Sequence, residues 1–216
     1  ARYSFFCLVI RRPPRSTLFP YTKLFRSDTQ EKLHSLVNKL VSTDIFAIDT
    51  ETTSINPVEA ELCGISISLG EGDGSYIPTK CPDSHLDQSV VVEALRGVLE
   101  DPTKTKIGHN IKYDLVVLHN VGITVNGPLN DTLIAAWLVD ASRSGYAMDA
   151  VALGLLDYEC LPISDLIGRG KSQKTFDQVP IVDAYPYAAE DADITFRRSE
   201  ERRVGKEWRS RWAPYH

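Results

Sequence analysis

The sequence predicts an α/β domain, a mixed β-sheet covered by α-helices. Three observations predict it. Leu33, Leu36, Val37, Leu40 and Val41 recur at helical spacing just before the apolar run Ile45-Phe46-Ala47-Ile48. From Leu62 to Leu69, Ile65, Ile67 and Leu69 alternate with Gly64, Ser66 and Ser68, the period of a strand. From Ser89 onward the pattern becomes helix, short strand, helix. Strands first, then strand and helix alternating, describe a mixed sheet with helices packed on it.

Residues 28–42 read as an amphipathic helix, and Ile45 to Asp49 as a short buried strand. Leu62 to Leu69 is a second strand. Gly70-Glu71-Gly72-Asp73-Gly74 is a turn into a third at Ser75-Tyr76-Ile77, so these three should form an antiparallel meander. A helix over Ser89–Leu99 stops at Asp101-Pro102. Thr105-Lys106-Ile107 is a fourth strand. A helix over Ile111–His119 follows, with Asn110 as its expected N-cap. Further helices are expected over 131–140, 148–156 and 183–197, and no internal repeat is visible.

Composition excludes several classes. A hydrophobic content of 43% with 25% charged residues is that of a soluble globular chain. No apolar run approaches the roughly 20 residues of a membrane helix, so no membrane partner is expected. Phe5 to Ile10 is too short for a secretory signal, and Arg11-Arg12-Pro13-Pro14 stands where a cleavage site should be. Cys7, Cys63, Cys81 and Cys160 form no CxxC pair and have no histidine at zinc-finger spacing, which suits reduced cysteines in the cytoplasm.

The two ends differ from the middle. Residues 1–27 hold six Arg/Lys and no acid, and residues 198–216 hold six against three acids. Flanks of +6 and +3 in a chain of −5 leave −14 for residues 28–197. Codons for 9–27 can be read as the reverse complement of codons for 198–216 at almost every position, as in Ser27/Arg198, Phe25/Glu200, Pro20/Gly205 and Ile10/Tyr215. Selection on a protein does not produce such an antisense palindrome. Both flanks resemble translated sequencing-library adapters, so 1–27 and 198–216 are expected to be non-native and poorly ordered around a domain of 28–197. On this expectation the last helix is cut short after about Arg197, which should weaken its hold on Tyr187 and Asp191.

Three short segments carry chemistry. Asp49-Thr50-Glu51-Thr52 ends the first strand, where residues i and i+2 share a face, so Asp49 and Glu51 point the same way. Two carboxylates that close repel unless a cation joins them, and Mg²⁺ favours such hard oxygen ligands. Gly108-His109-Asn110-Ile111-Lys112-Tyr113-Asp114 puts an acid one turn into a helix. In Tyr187-Ala188-Ala189-Glu190-Asp191-Ala192-Asp193, Tyr187 and Asp191 share a helix face. The alanines would let that helix approach the sheet closely, and Asp193 should point away as a surface or capping acid. Taken singly, each has an ordinary explanation: a solvated turn, an acid favoured by the helix dipole, a core tyrosine.

Together, DTET at 49–52, GHNIKYD at 108–114 and YAAEDAD at 187–193 resemble the proofreading exonuclease domain of DNA polymerase I-type (family A) polymerases, in the family's order and approximate spacing. The similarity spans nearly all of 28–197 and takes in Tyr76-Ile77-Pro78, Asp131-Thr132, Met148-Asp149 and Lys174-Thr175-Phe176. The resemblance implies an RNase H-like fold and 3′–5′ exonuclease activity. It implies two divalent ions, Mg²⁺ or Mn²⁺, held by Asp49, Glu51, Asp114 and Asp191, with Tyr187 positioning a water. Thr50, Ile55, Asn110 and Phe176 match positions that contact a single-stranded DNA 3′ end, although Ile55 and Phe176 would serve equally as ordinary packing residues. His109 and His119 are not catalytic on this reading, and His109 stands where relatives often have Gln. The polymerase domain of the same parent chain is the implied partner, in a bacterial-type, nucleoid-associated cytoplasmic setting. No polymerase motif is present, so this chain should not synthesise DNA. An RNase D-like enzyme trimming RNA would use the same acids, and a scaffold domain would have lost them.

Overall fold

The computed structural model describes residues 23–212, with side chains described over 23–199. In chain order the elements are strand β1 (Lys23–Arg26), helix α1 (Gln30–Val41), strands β2 (Ile45–Thr52), β3 (Leu62–Gly70) and β4 (Asp73–Pro78), helix α2 (Gln88–Leu99), strand β5 (Thr105–Gly108), helix α3 (Lys112–Asn120), strand β6 (Leu129–Asp131) and helices α4 (Thr132–Val139), α5 (Met148–Leu156), α6 (Ile163–Ile167) and α7 (Ile181–Trp212). The sheet order is β1-β4-β3-β2-β5-β6. β2, β3 and β4 form the expected antiparallel meander, while β1, β5 and β6 pair in parallel, so the sheet is mixed.

Side-chain alternation along the central strands sorts residues to two faces. Phe46 and Ile48 of β2 join Leu62, Ile65 and Ile67 of β3 under α1, α2 and α3, where Leu33, Leu36, Leu40, Val91, Leu95 and Leu118 complete the larger core. The opposite face is floored by small residues, Ala47, Gly64, Ser66, Ser68 and Gly74, and α7 lies across it. Ala188, Ala189 and Ala192 of α7 are fully buried, so the close approach expected of the alanines is observed. A Cβ built on Gly74 would sit 2.9 Å from the carbonyl carbon of Ala189 and closer still to its oxygen. Backbone meets backbone there, and only glycine leaves room.

Several expectations change. The poor order expected of 1–27 does not extend to residues 23–27. β1 pairs with β4 from Lys23↔Asp73 to Arg26↔Tyr76, because an open sheet edge offers backbone groups that any sequence can use. Residues 1–22 lie outside the described residues. The last helix begins at Ile181 and continues through Trp212, since the stretch after Arg197 contains no proline before Pro214 and one glycine, Gly205. Pro186 is tolerated inside α7 near its start, where the exposed Val182 lets the carbonyl it frees meet water. Strand β6 and helix α6, of three and five residues, were too short for a periodic signal. Asp193 is buried at 2% exposure, where it pairs with Arg197 at 2.7 Å and accepts the Gly72 N–H at 2.7 Å. It thereby caps the β3–β4 turn from inside the molecule instead of facing solvent. Cys63, Cys81 and Cys160 are free thiols, and Cys7 lies outside the described residues. No described helix is long and apolar enough to cross a membrane.

Candidate active site

Asp49 and Glu51 share the face of β2 that meets α7, which follows from strand alternation once Phe46 and Ile48 take the other face. α7 delivers Asp191 to the same place. One carboxylate oxygen from each of Asp49, Glu51 and Asp191 lies within 4.8 Å of the others. Glu51 and Asp191 are buried, and Asp49 is partly open to solvent at the mouth of the cluster. Glu51 Oε1 is buried with no hydrogen-bond partner. A buried anionic oxygen left bare is costly, and it marks a position made for a cation.

Asp114 stands beside β2, in the first turn of α3, and the intervening residue ties it in. Thr50 donates to Asp114 Oδ1 through its backbone N–H at 3.0 Å and its Oγ1 hydroxyl at 2.6 Å. The strand thus turns Asp49 and Glu51 to one side and grips the fourth acid with the residue between them. Thr50, expected at the substrate, has its hydroxyl committed to Asp114.

The electrostatics follow from crowding. Burial first, and then the charge of Asp191, hold the Asp49 carboxyl well above the usual carboxylate range. Glu51 is raised by burial and by Asp49, Asp191 and Asp114 together. Asp114 is raised by burial and by Asp49, against the two Thr50 hydrogen bonds. Asp191 is raised to about 8, chiefly by burial, although the Tyr187 hydroxyl opposes the shift. The Tyr187 phenol is itself pushed far up by burial and by Asp191, so it stays protonated and donates to that carboxylate one helical turn away.

The sign of the pH effect is fixed by these directions. Each acid binds its proton more tightly folded than unfolded, so stability is present below the ordinary carboxylate range and is lost as pH rises toward the folded values. In chelator, the melting temperature should fall between about pH 5 and about pH 8, with a slope approaching 1.4 kcal/mol per pH unit for each proton released. A flat or rising curve would contradict the cluster.

The remaining predicted residues divide. Ile55 is 96% exposed on the loop after β2. That loop is pinned by Thr52 and Tyr113, both of which donate to the Ser54 carbonyl. Phe176 is only 5% exposed and belongs to the core, edge-on to Tyr76 at 6.5 Å and tilted against Tyr187 at 6.1 Å. It braces the tyrosine and presents little surface of its own. Asn110 does not cap α3. It adopts a left-handed backbone (φ 63°) in the turn after β5, and Ile111 precedes the helix without a side-chain cap. The Asn110 N–H donates to Asp131 Oδ1, the same oxygen that caps α4 through Leu133 and Ile134. Asp131 is therefore the residue that fixes this turn.

His109 is a brace. Its Nε2 donates to the Tyr146 carbonyl at 2.9 Å, which leaves Nδ1 to accept from Arg198 at 2.8 Å and Thr132 at 3.0 Å. Burial and then the Arg198 charge push its pKa down to about 4, so it is neutral and knits α7 to α4. His119 is exposed at the end of α3. Reasoning from residue types missed Glu190 and Asp149, whose charges raise Asp191. Glu190 also anchors the segment after α5 by accepting the Tyr158 hydroxyl and, at 2.7 Å, the Leu161 N–H. Glu190 is the neighbour of Asp191 on α7, whereas Asp149 reaches it only because α5 packs against α7, for which the sequence carries no signal.

The profile of the 3′–5′ exonuclease family matches residues 25–199. This chain belongs to the 3′–5′ exonuclease family of DNA polymerase I-type enzymes. It is 39% identical over 168 residues to DNA polymerase I of Pseudomonas aeruginosa, covering 74% of this chain and 18% of that protein. It is 40% identical over 169 residues to DNA polymerase I of Chloroflexus aurantiacus, covering 78% and 18%. The chain thus spans about one fifth of the length of these curated relatives. Among solved structures, Escherichia coli RNase D superposes with a TM-score of 0.65 at 24% identity, covering 89% of this chain and 47% of that one, which shows the shared RNase H-like fold. The match to the 3′–5′ exonuclease family places the chain among the nucleases, hydrolases of phosphodiester bonds.

Proposed function

We propose that this exonuclease domain removes nucleotides from DNA 3′ ends with two divalent cations, Mg²⁺ or Mn²⁺, as the proofreading module of a DNA polymerase I-type enzyme in the cytoplasm. The observation that carries the reading is the acid cluster from two elements, Asp49 and Glu51 of β2 with Asp191 of α7, around the unpartnered Glu51 Oε1. Four carboxylates whose charges oppose one another fit hard cations and little else. Asp49, Glu51, Asp114 and Asp191 would hold them. Such ions supply an activated water and charge neutralisation at the phosphoryl group. Asp114 has Oδ1 committed to Thr50, which leaves Oδ2 for this task. Tyr187, protonated throughout the working pH range, can orient a water but cannot take its proton. Among the described residues, the neutral, braced His109 offers no histidine base to the cluster. Names of the relatives support DNA as substrate and a polymerase domain as partner.

The test is degradation of a 5′-labelled single-stranded DNA and its RNA counterpart, with Mg²⁺, with EDTA, and with Asp114→Ala. Stepwise shortening of the DNA from its 3′ end, lost in EDTA and in the variant, is expected. Preference for RNA would instead assign an RNase D-like trimming activity, and no cleavage by the folded protein would assign a scaffold. Added Mg²⁺ should also abolish the fall of melting temperature with pH.

A further inference from the structure

Residues 28–197 carry −14, yet one stretch reverses the sign. Between Asp165 and Asp177 there is no acid, and Arg169, Lys171 and Lys174 fall within six residues. All three are exposed. The other basic side chains of 28–197 are largely committed. Lys32, Lys80, Arg96, Arg143 and Arg197 are paired with acids. Lys104 and Lys106 donate to carbonyls, and Lys39 lies over the Phe25 ring. Among the described residues no ion pair engages Arg169, Lys171 or Lys174. Lys112 is likewise exposed without an acid partner, and it opens α3 two residues before Asp114.

The loop is built to one place. Gly168 and Gly170 adopt positive φ, a short 3-10 turn spans Gly170–Ser172, and the Lys174 N–H closes back on the Ile167 carbonyl at 2.8 Å. It then enters the core at Phe176, whose ring packs on Tyr187 beside the acids. Arg169 also donates to the Ser164 hydroxyl at 2.9 Å, a neutral partner that leaves its charge unneutralised. In an anionic molecule, exposed cations without acid partners on a loop that leads to a phosphodiester-cleaving site are placed to attract and hold a polyanion.

We propose that Arg169, Lys171 and Lys174 form a phosphate-binding ridge that holds the backbone of the single strand upstream of the scissile bond. The proposal rests on the nucleic-acid exonuclease reading above. It confers length dependence: a strand long enough to reach the ridge binds more tightly than a dinucleotide that occupies the acid site alone. The contacts are to phosphate, so they are indifferent to base.

The experiment compares the full chain with its R169S/K171S/K174S variant and the charge-preserving R169K/K171R/K174R variant. Binding of a fluorescent oligothymidylate is read by anisotropy in EDTA across a salt series, and cleavage of the oligomer and of a dithymidine dinucleotide is read in Mg²⁺. In the serine variant, the Kd and KM for the oligomer should rise about tenfold with kcat unchanged. The slope of log K against log salt should shrink by about 2, as expected when three single-strand phosphate contacts are lost. Dinucleotide cleavage should be unchanged, and the charge-preserving variant should behave as the parent. Equal oligomer binding and equal salt slope in parent and serine variant, with cleavage intact, would overturn the ridge alone. A parent chain that neither binds nor cleaves any strand would overturn the ridge and the exonuclease reading together.

Discussion

Asp191→Asn is expected to lower 3′–5′ exonuclease activity by about a thousandfold or more while leaving the metal-free protein at least as stable as its parent. The first half follows from the chemistry: losing one of the carboxylates that would hold the cations removes several kcal/mol of charge stabilisation, and each 1.4 kcal/mol is tenfold in rate. The second half follows from the geometry. Asp191 is buried within 4.8 Å of two other carboxylates. Burial outweighs the help its charge receives from Tyr187. Asparagine keeps the shape and an acceptor for the Tyr187 hydroxyl while removing the repelling charge. Melting curves in EDTA at about pH 8, beside single-turnover cleavage in Mg²⁺, would read both. Activity within tenfold of the parent, or a lower melting temperature in EDTA, would show that the cluster is not what this geometry makes it.

Gly74→Ala is expected to cost about 3 kcal/mol, roughly 10 °C in melting temperature for a chain of this size. The added methyl would collide with the Ala189 carbonyl, a backbone group inside α7 that no rotamer change can move aside. β4 and α7 would have to separate. Because α7 carries Tyr187 and Asp191, cleavage should fall as well. Gly70→Ala is the control, since nothing lies within 4 Å of a Cβ there. Its melting temperature should stay within a degree or two of the parent. Equal effects at the two glycines would mean that the small-residue seam between α7 and the sheet does not set the position of the helix.

Much of this was legible in residue types and spacing. The alternation of Ile65, Ile67 and Leu69 with Gly64, Ser66 and Ser68 specified a strand with one large and one small face. The small face is where α7 lies. The alanines around Asp191 announced a closely packed helix, and period-2 geometry put Asp49 and Glu51 on one side of β2. Where local reading failed, a distant partner decided. Asn110 looked like a cap, but Asp131, 21 residues on, takes its N–H. Asp193 looked like a surface acid, but the Gly72 N–H, 121 residues earlier in the β3–β4 turn, holds it inside the molecule. Phe176 was read with equal weight as a platform or a core residue, and its contacts with Tyr76 and Tyr187 place it in the core.

By itself the sequence determined strands β2 to β5 and the longer helices, the shared face of Asp49 and Glu51, the shared face of Tyr187 and Asp191, and the family to which the chain belongs. These are properties of spacing, and spacing is set by the 2-residue and 3.6-residue periods of the backbone. Only the tertiary structure decided that the two faces meet, that Thr50 grips Asp114, that Glu51 keeps a bare oxygen, and that the carboxyls are raised. Those depend on burial and on through-space charge, which act between residues tens of positions apart and leave no local pattern in the chain.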